Sequence, residues 1–254
     1  MRIPKIIVDF VGQAINSQLL ITGQNYHHLI NVLRCKVTDV VEVASADNSK
    51  IFKAQITTLD IKKNSLLLNL LEEIQPIKLN AIDLICGFPK PTIAEFIVEK
   101  SVEIGVSNIH FFFAERSQSH LQGEQLQKKL TRLNKIKEAA LKQSGLVSEV
   151  TKIYIHNCLQ PALAKIHSET LKIVLIAPAE ERQELLKITD FIKSNPNYAQ
   201  QHQAYSIIIG PEGGLSPSEI ALAQDSNFIP TSLGKKTLRV ETAVIASCAL
   251  LQLL

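Results

Sequence analysis

From Ala81 onward, compact apolar runs alternate with amphipathic helical patterns, and that rhythm restricts most of the chain to a small set of folds. The runs AIDLICGF, NIHFFF, TKIYI, LKIVLIAP and AYSIIIG read as strands. Helical spacing covers 93–104, 121–143, 159–166, 182–192 and 217–223, and a last helix starts at about Thr237. Strand and helix in strict alternation predict an α/β domain with a mostly parallel sheet covered on both faces. Such sheets collect their ligands at the carboxyl ends of the strands.

The first seventy residues have a different texture: short β-favouring runs over 5–10, 19–22, 37–44, 51–58 and 65–71, broken by polar turns. The SADNSK segment supplies Asp and Asn for a hairpin turn into IFKAQITTL. One helix, about 24–33, interrupts the strands, with Tyr26, Leu29, Ile30 and Leu33 on one face. This half reads as a small β-barrel. Charge and Pro76 mark the change of rhythm, giving a first domain over 1–72, a linker over 73–80 and a second domain over 81–254.

Composition excludes several classes. At 254 residues, 46% hydrophobic and 20% charged, the chain is far from a disordered one. The N-terminus carries Lys5 and Asp9 through its apolar residues and does not read as a secretory signal. The longest apolar stretch begins only at Ala243 and contains Ser247 and Gln252, short of the roughly 20 residues a membrane helix needs. A soluble, cytoplasmic protein is the expectation. Cys35, Cys86, Cys158 and Cys248 are scattered, which fits reduced thiols, and no His or Cys spacing suggests a metal site. A net charge of +3 permits an anionic partner; with no Trp and 5% aromatic residues, an RNA partner would be held through phosphates rather than by stacking.

Three stretches carry candidate chemistry. In SIIIGPEGGLSPSEIALA, a strand runs into Gly210-Pro211-Glu212-Gly213-Gly214 and then a helix whose start is specified by Ser216, Pro217 and Glu219 as a capping box with proline at its first position. The glycines permit close approach of a ligand to main-chain amides, or simply a tight turn. No G-x-x-x-x-G-K-[ST] or G-x-G-x-x-G motif is present, which disfavours a Walker loop and a conventional dinucleotide site. In SLGKKTLRVETAVIASCALLQLL, Arg239 and Glu241 open an apolar helix, where Glu is also what a helix N-terminus favours. In the third, 124–145, Lys128, Arg132, Lys135 and Lys142 run roughly along one helical face, a solvated face or a phosphate track. Arg116 follows the strand NIHFFF, where it would face an anionic ligand.

Together these residues resemble the bacterial 16S ribosomal RNA uracil-N3 methyltransferases, the RsmE type of the SPOUT class of S-adenosylmethionine-dependent enzymes. The correspondence is carried by HHLINVLR with Asp39, by EFIVEKSVEIGV, by Glu115 to Ser117, by KEAALKQSG, by IGPEGGLSPSE and by LGKKTLRVETA. It implies a C-terminal SPOUT domain whose last segments form a trefoil knot, preceded by a PUA-like β-barrel domain that helps grip RNA. It also implies a homodimer that methylates N3 of a uridine in 16S ribosomal RNA of the small subunit. Carried across, Gly210, Glu212, Gly213, Gly214, Leu233, Gly234 and Leu238 look like the S-adenosylmethionine pocket, and Arg34, Arg116, Lys128, Arg132 and Lys135 like RNA contacts. Arg239 would stabilise charge on a uracil oxygen, while Glu241 or Glu212 would accept the imide proton or orient Arg239. The chain departs from the family at Pro91-Thr92-Ile93, where a Gly-Asp-basic segment is usual, and at Leu146, where arginine is usual. Two other readings remain: an RNA-binding assembly protein without turnover, and a SPOUT methyltransferase with another RNA target.

Overall fold

The computed structural model describes residues 3–8, 17–45, 50–75, 79–117, 121–144, 151–166, 170–177, 185, 187–194 and 204–254. They form two compact units, one holding the described residues up to Gln75 and the other those from Leu79 onward. The expected hairpin turn over 46–49, the centre of the expected linker at 76–78, and Leu146 lie outside the described residues.

In the first unit β1 (Lys5–Val8), β2 (Gln18–Ile21), β3 (Val40–Ser45), β4 (Ile51–Asp60) and β5 (Ser65–Ile74) form one sheet in the order β1-β3-β4-β5-β2. Only β1 and β3 are parallel. Glu73 and Ile74, expected in the linker, still pair with Phe52 and Ile51. Along β5 buried Leu66, Leu68 and Leu70 alternate with less buried neighbours, the period of a sheet with one dry face. They pack with Val41, Val43, Phe52, Ala54 and Ile56 into the unit's core. After β2 comes α1 (Gly23–His27), whose Asn25 Nδ2 donates to Ile7 O at 2.7 Å and so reaches the strand at the sheet's other end. The expected helix does not run on as α-helix: residues His28–Val32 form a π turn, with Leu33 N donating to His28 O. Arg34 (φ 57°) and Thr38 (φ 79°) follow in left-handed conformation, and Asp39 Oδ2 accepts the Lys36 amide at 2.7 Å.

The second unit is the expected α/β layer structure. Its strands β6 (Ala81–Gly87), β7 (Asn108–Phe112), β8 (Lys152–His156), β9 (Leu171–Leu175), β10 (Ala204–Ile209) and β11 (Ile229–Thr231) order as β11-β9-β10-β6-β7-β8, and every pairing is parallel. Strand β11 is absent from the sequence reading because it is three residues long and contains Pro230. One face buries Leu84, Phe111, Ile173 and Ile207 against α2 (Pro91–Ile104), α3 (Gly123–Ser144), α5 (Ile188–Ser194) and the C-terminal helix, Val240–Gln252. The other buries Ile85, Phe112, Val174 and Ile208 against α4 (Leu159–Leu163) and α6 (Pro217–Asp225). The C-terminal helix, α7, starts three residues later than its apolar pattern suggests, because Arg239 is still extended at its N-cap. Gln252 ties the far end of α7 down: its amide donates to Asn80 O and Gly105 O, both at 3.0 Å, and its Oε1 accepts the Asn80 amide.

Candidate active site

All five pairings of the second sheet run the same way, so the loops that follow β6, β7, β9 and β10 emerge at one edge, and there the site is built. Strand β10 ends at Ile209 and the chain folds back at once, with Gly214 N donating to Pro211 O at 2.8 Å. The turn is so close that a Cβ on Gly210 would lie 2.9 Å from Gly214 C and from Leu215 N, and Gly214 itself sits at φ 74°, where side chains are strained. Helix α6 then starts with the expected capping box: Ser216 Oγ accepts the Glu219 amide and Glu219 Oε2 accepts the Ser216 amide at 2.8 Å. Glu219 is buried, and its other oxygen accepts the Glu115 amide at 3.0 Å, so one carboxylate holds both the helix start and the loop after β7.

The turn forms one wall of a cavity of about 570 Å³. Leu175, Ile176 and Ala177 at the end of β9 and Ile93 of α2 add apolar surface, and the segment from Leu233 to Ala243 closes another side. The polar residues of its wall are Lys90, Glu212, Lys236, Thr237, Arg239 and Glu241, together with the glycine turn. Of the residues expected at a cofactor pocket, the structure brings Gly210, Glu212, Gly214, Leu233 and Leu238 to this cavity, and with them Arg239 and Glu241. Gly213 and Gly234 do not line it. A Cβ on Gly213 would lie 2.9 Å from Arg116 O, so that glycine admits the close approach of the loop after β7. Ile93, which the sequence marked only as part of a departure from the family pattern, lines the cavity with Lys90 just before it; the end of β9 was not singled out in the sequence.

Pro91, the departure from the family pattern, is the first residue of α2, and Lys90 is its extended N-cap. The Lys90 amide donates to Glu212 Oε1 at 3.1 Å, binding the glycine turn to the start of α2. From the other side Lys129, only 9% exposed, donates to Pro91 O at 2.8 Å and to Glu95 Oε1 at 2.7 Å. Arg132 completes the cluster with two bonds to Glu95, at 2.6 and 2.8 Å. Hydrogen bonding by Arg132, aided by Lys129, holds the Glu95 carboxyl down at about 2.

The cationic residues expected to meet RNA are therefore in different states. Arg132 is forked onto Glu95. Lys128 makes an exposed pair with Glu124 at 2.7 Å, Lys135 is exposed on the same helix, and the Lys142 side chain lies outside the described atoms. Arg116 is exposed and donates to Gly213 O at 3.4 Å. Arg34 is exposed in the first unit beside exposed Val32, Leu33 and Val37.

The sequence reading also passed over a ring cluster on β7 and β8. His110 and His156 are joined Nδ1 to Nε2 at 3.1 Å, and Tyr154 stacks on His110 with centroids 4.7 Å apart. Burial first, and the neighbouring His156 and Lys165 next, push His110 down to about 4; burial and Lys165 also lower His156. Among the described residues no group of three or more His, Cys, Asp or Glu is arranged to hold a metal ion, and no helix is long and apolar enough to cross a membrane.

A parallel sheet with a glycine-turn cavity at its carboxyl edge, carrying Arg and Glu at a helix mouth, is the ligand site of an α/β enzyme class. The chain belongs to the RNA methyltransferase domain family, whose model matches residues 75–252, and the model for the RNA methyltransferase PUA domain matches residues 21–71. The ribosomal RNA small subunit methyltransferase E of Bacillus subtilis (strain 168) is 27% identical over 228 residues, covering 88% of this chain and 85% of that protein. The protein of the same name from Mesomycoplasma hyopneumoniae (strain 232) is 32% identical over 166 residues, 65% of this chain and 66% of the relative. Among solved structures, a ribosomal RNA small subunit methyltransferase E from Neisseria gonorrhoeae bound to S-adenosyl methionine superposes with TM-score 0.72 at 25% identity, covering 99% of this chain and 98% of the other. A Legionella pneumophila methyltransferase in complex with SAM gives 0.69 at 26% identity, with 100% and 98% covered.

Proposed function

We propose that this protein transfers a methyl group from S-adenosylmethionine to N3 of a uridine in 16S ribosomal RNA of the small subunit. The observation that carries the reading is the cavity itself, where the glycine turn and the Leu233–Glu241 segment converge on one pocket. Relatives named for small-subunit ribosomal RNA and neighbours solved with the cofactor support it. The wall fits such a cofactor. Ile176, Ile209, Leu215, Leu233 and Leu238 offer apolar surface to an adenine ring, and the turn at Gly210 to Gly214 offers backbone groups at close approach. When bound, the cofactor supplies an electrophilic methyl group on a sulfonium.

The chain's own part is positioning and charge. Displacement requires the uracil nitrogen in line with the methyl carbon, so a pocket held from two sides by Glu212 and Lys129 does much of the work before chemistry begins. Arg239, exposed at the cavity mouth, stabilises negative charge growing on a uracil carbonyl oxygen as N3 loses its proton. Lys128, Lys135 and Arg116 on the second unit, and Arg34 on the first, are the phosphate contacts of this reading. The same reading places the enzyme in the cytoplasm as a homodimer; exposed Phe96 on α2, with exposed Leu253 and Leu254 just past the end of α7, which packs on α2, supports the dimer.

The test is transfer of labelled methyl from S-adenosylmethionine to purified small subunits lacking the modification, followed by nucleoside analysis. Label in 3-methyluridine is the expected result. Label in another nucleoside, or none while the cofactor binds, overturns the target.

A further inference from the structure

Two carboxylates line the cavity, and the sequence offers no ground for ranking them. Their surroundings differ. Glu212 is committed: its Oε1 accepts the Lys90 amide at 3.1 Å, which makes it a strut between the glycine turn and the start of α2. Glu241 stands in the first turn of α7, and its Oε2 is buried without a hydrogen-bond partner among the described residues. Buried polar atoms are nearly always satisfied, so an exception at a cavity wall marks an acceptor whose donor arrives with the ligand. Among the described residues the other unpartnered buried side-chain atoms, Ser101 Oγ and Thr231 Oγ1, belong to residues that do not line the cavity.

We propose that Glu241 is the proton acceptor of the methyl transfer and that Glu212 is a positioning residue; the assignment rests on the uracil reading above. In the step, the imide N3–H bond breaks and its proton passes to a Glu241 carboxylate oxygen. The nitrogen's electron pair forms the new bond to the methyl carbon, and the carbon–sulfur bond breaks with its pair going to sulfur, which leaves a neutral thioether. The proton then leaves Glu241 for solvent with the product. Lys90, Lys236 and Arg239 are the cations at the same wall, and Arg239 makes no hydrogen bond to Glu241 Oε2, which leaves it for the carbonyl oxygen.

The test compares Glu212→Ala, Glu212→Gln, Glu241→Gln and the wild type. Affinity for S-adenosylhomocysteine is measured by calorimetry, and single-turnover transfer to unmodified small subunits is followed across pH. Gln at 212 keeps an oxygen for the Lys90 amide, so Glu212→Gln recovers most of the affinity and transfer that Glu212→Ala loses. Glu241→Gln binds within about threefold of wild type yet transfers roughly 10²–10⁴-fold more slowly, and its residual rate climbs with pH as the imide loses its proton unaided. The assignment is overturned if Glu212→Gln is as slow as Glu241→Gln, if Glu241→Gln loses affinity in step with rate, or if it transfers at the wild-type rate. A wild-type product other than 3-methyluridine overturns the uracil reading separately, while the ratio between the two Gln variants still judges the division of roles.

Discussion

The two sheets of this molecule bury their strands in different ways, and the difference decides where chemistry can sit. In the first, four of the five strands meet antiparallel partners, one face is dry, and the connecting loops leave from both ends. In the second every pairing is parallel, both faces are covered, and the loops after β6, β7, β9 and β10 share one edge. A parallel sheet thus concentrates polar groups from distant parts of the sequence, as Lys90, Glu212 and Arg239 show. The antiparallel sheet offers surface and single loops instead, such as the one holding Arg34 and Thr38 in left-handed conformation.

The contrast is broken most directly in the cores. Neighbours Ile207 and Ile208 point to opposite faces, and both are fully buried, so Ile207→Ala and Ile208→Ala should each destabilise the second unit by about 2–5 kcal/mol. In β5, Leu68→Ala should cost a similar amount but its neighbour Leu67→Ala only about 1 kcal/mol. Urea unfolding with hydrogen exchange on the affected strands measures all four. Equal losses at Leu67 and Leu68 would mean that the first sheet is dry on both faces.

Acid should weaken the second unit first. The folded chain holds His110 near 4 instead of 6.5, so between those values the unfolded chain takes up protons that the folded one refuses. Stability from this site is fully present above pH 6.5 and is lost as pH falls toward 4, on the order of 3 kcal/mol. His110→Phe should flatten that slope in thermal melts; an unchanged slope would put the acid sensitivity elsewhere.

Smaller effects sharpen the picture of the edge loops. Ser216→Ala removes the cap of α6 and should lower stability by about 1 kcal/mol in urea titrations. Because Glu219 also holds the Glu115 amide, the same variant should raise hydrogen exchange at Glu115, whereas a purely local cap would leave it unchanged. Smallest of all, Lys128→Ala with Lys135→Ala should leave the Tm unchanged and reduce the salt slope of RNA binding by roughly one to two. An unaltered slope would make that helix face a solvated one.

Much of this was legible in the sequence, for identifiable reasons. Alternating apolar runs and helical patterns announced the parallel sheet, and Ser216, Pro217 and Glu219 announced the start of α6, because those signals are local. The cavity's membership was partly legible: Gly210, Glu212, Arg239 and Glu241 stood in two recognisable stretches, but nothing local joins them to Lys90 or Ile176. The close neighbour of Gly213 was not legible, since it is Arg116, a residue far away in sequence. The bonds from Arg132 to Glu95 were not legible either, because that acidic partner lies on another helix. The cluster of His110 and His156 was invisible, two isolated histidines that only strand register brings together. The trefoil knot is an expectation from the family resemblance alone, since periodicity says nothing of how loops pass one another.

The register of the second sheet also has a meaning in time. Its centre pairs Ala81 with Ala204 and Cys86 with Ile209, partners separated by nearly half the chain, whereas β6 finds β7 after a single helix. Loop closure over such a span must be complete before the pairing gives anything back, so local hairpins and helices form early and the floor of the cavity forms late. In refolding, ligand-binding competence should therefore lag behind the recovery of secondary structure, and the apolar edges of β6 and β10 are what an incompletely folded chain would leave open to aggregation.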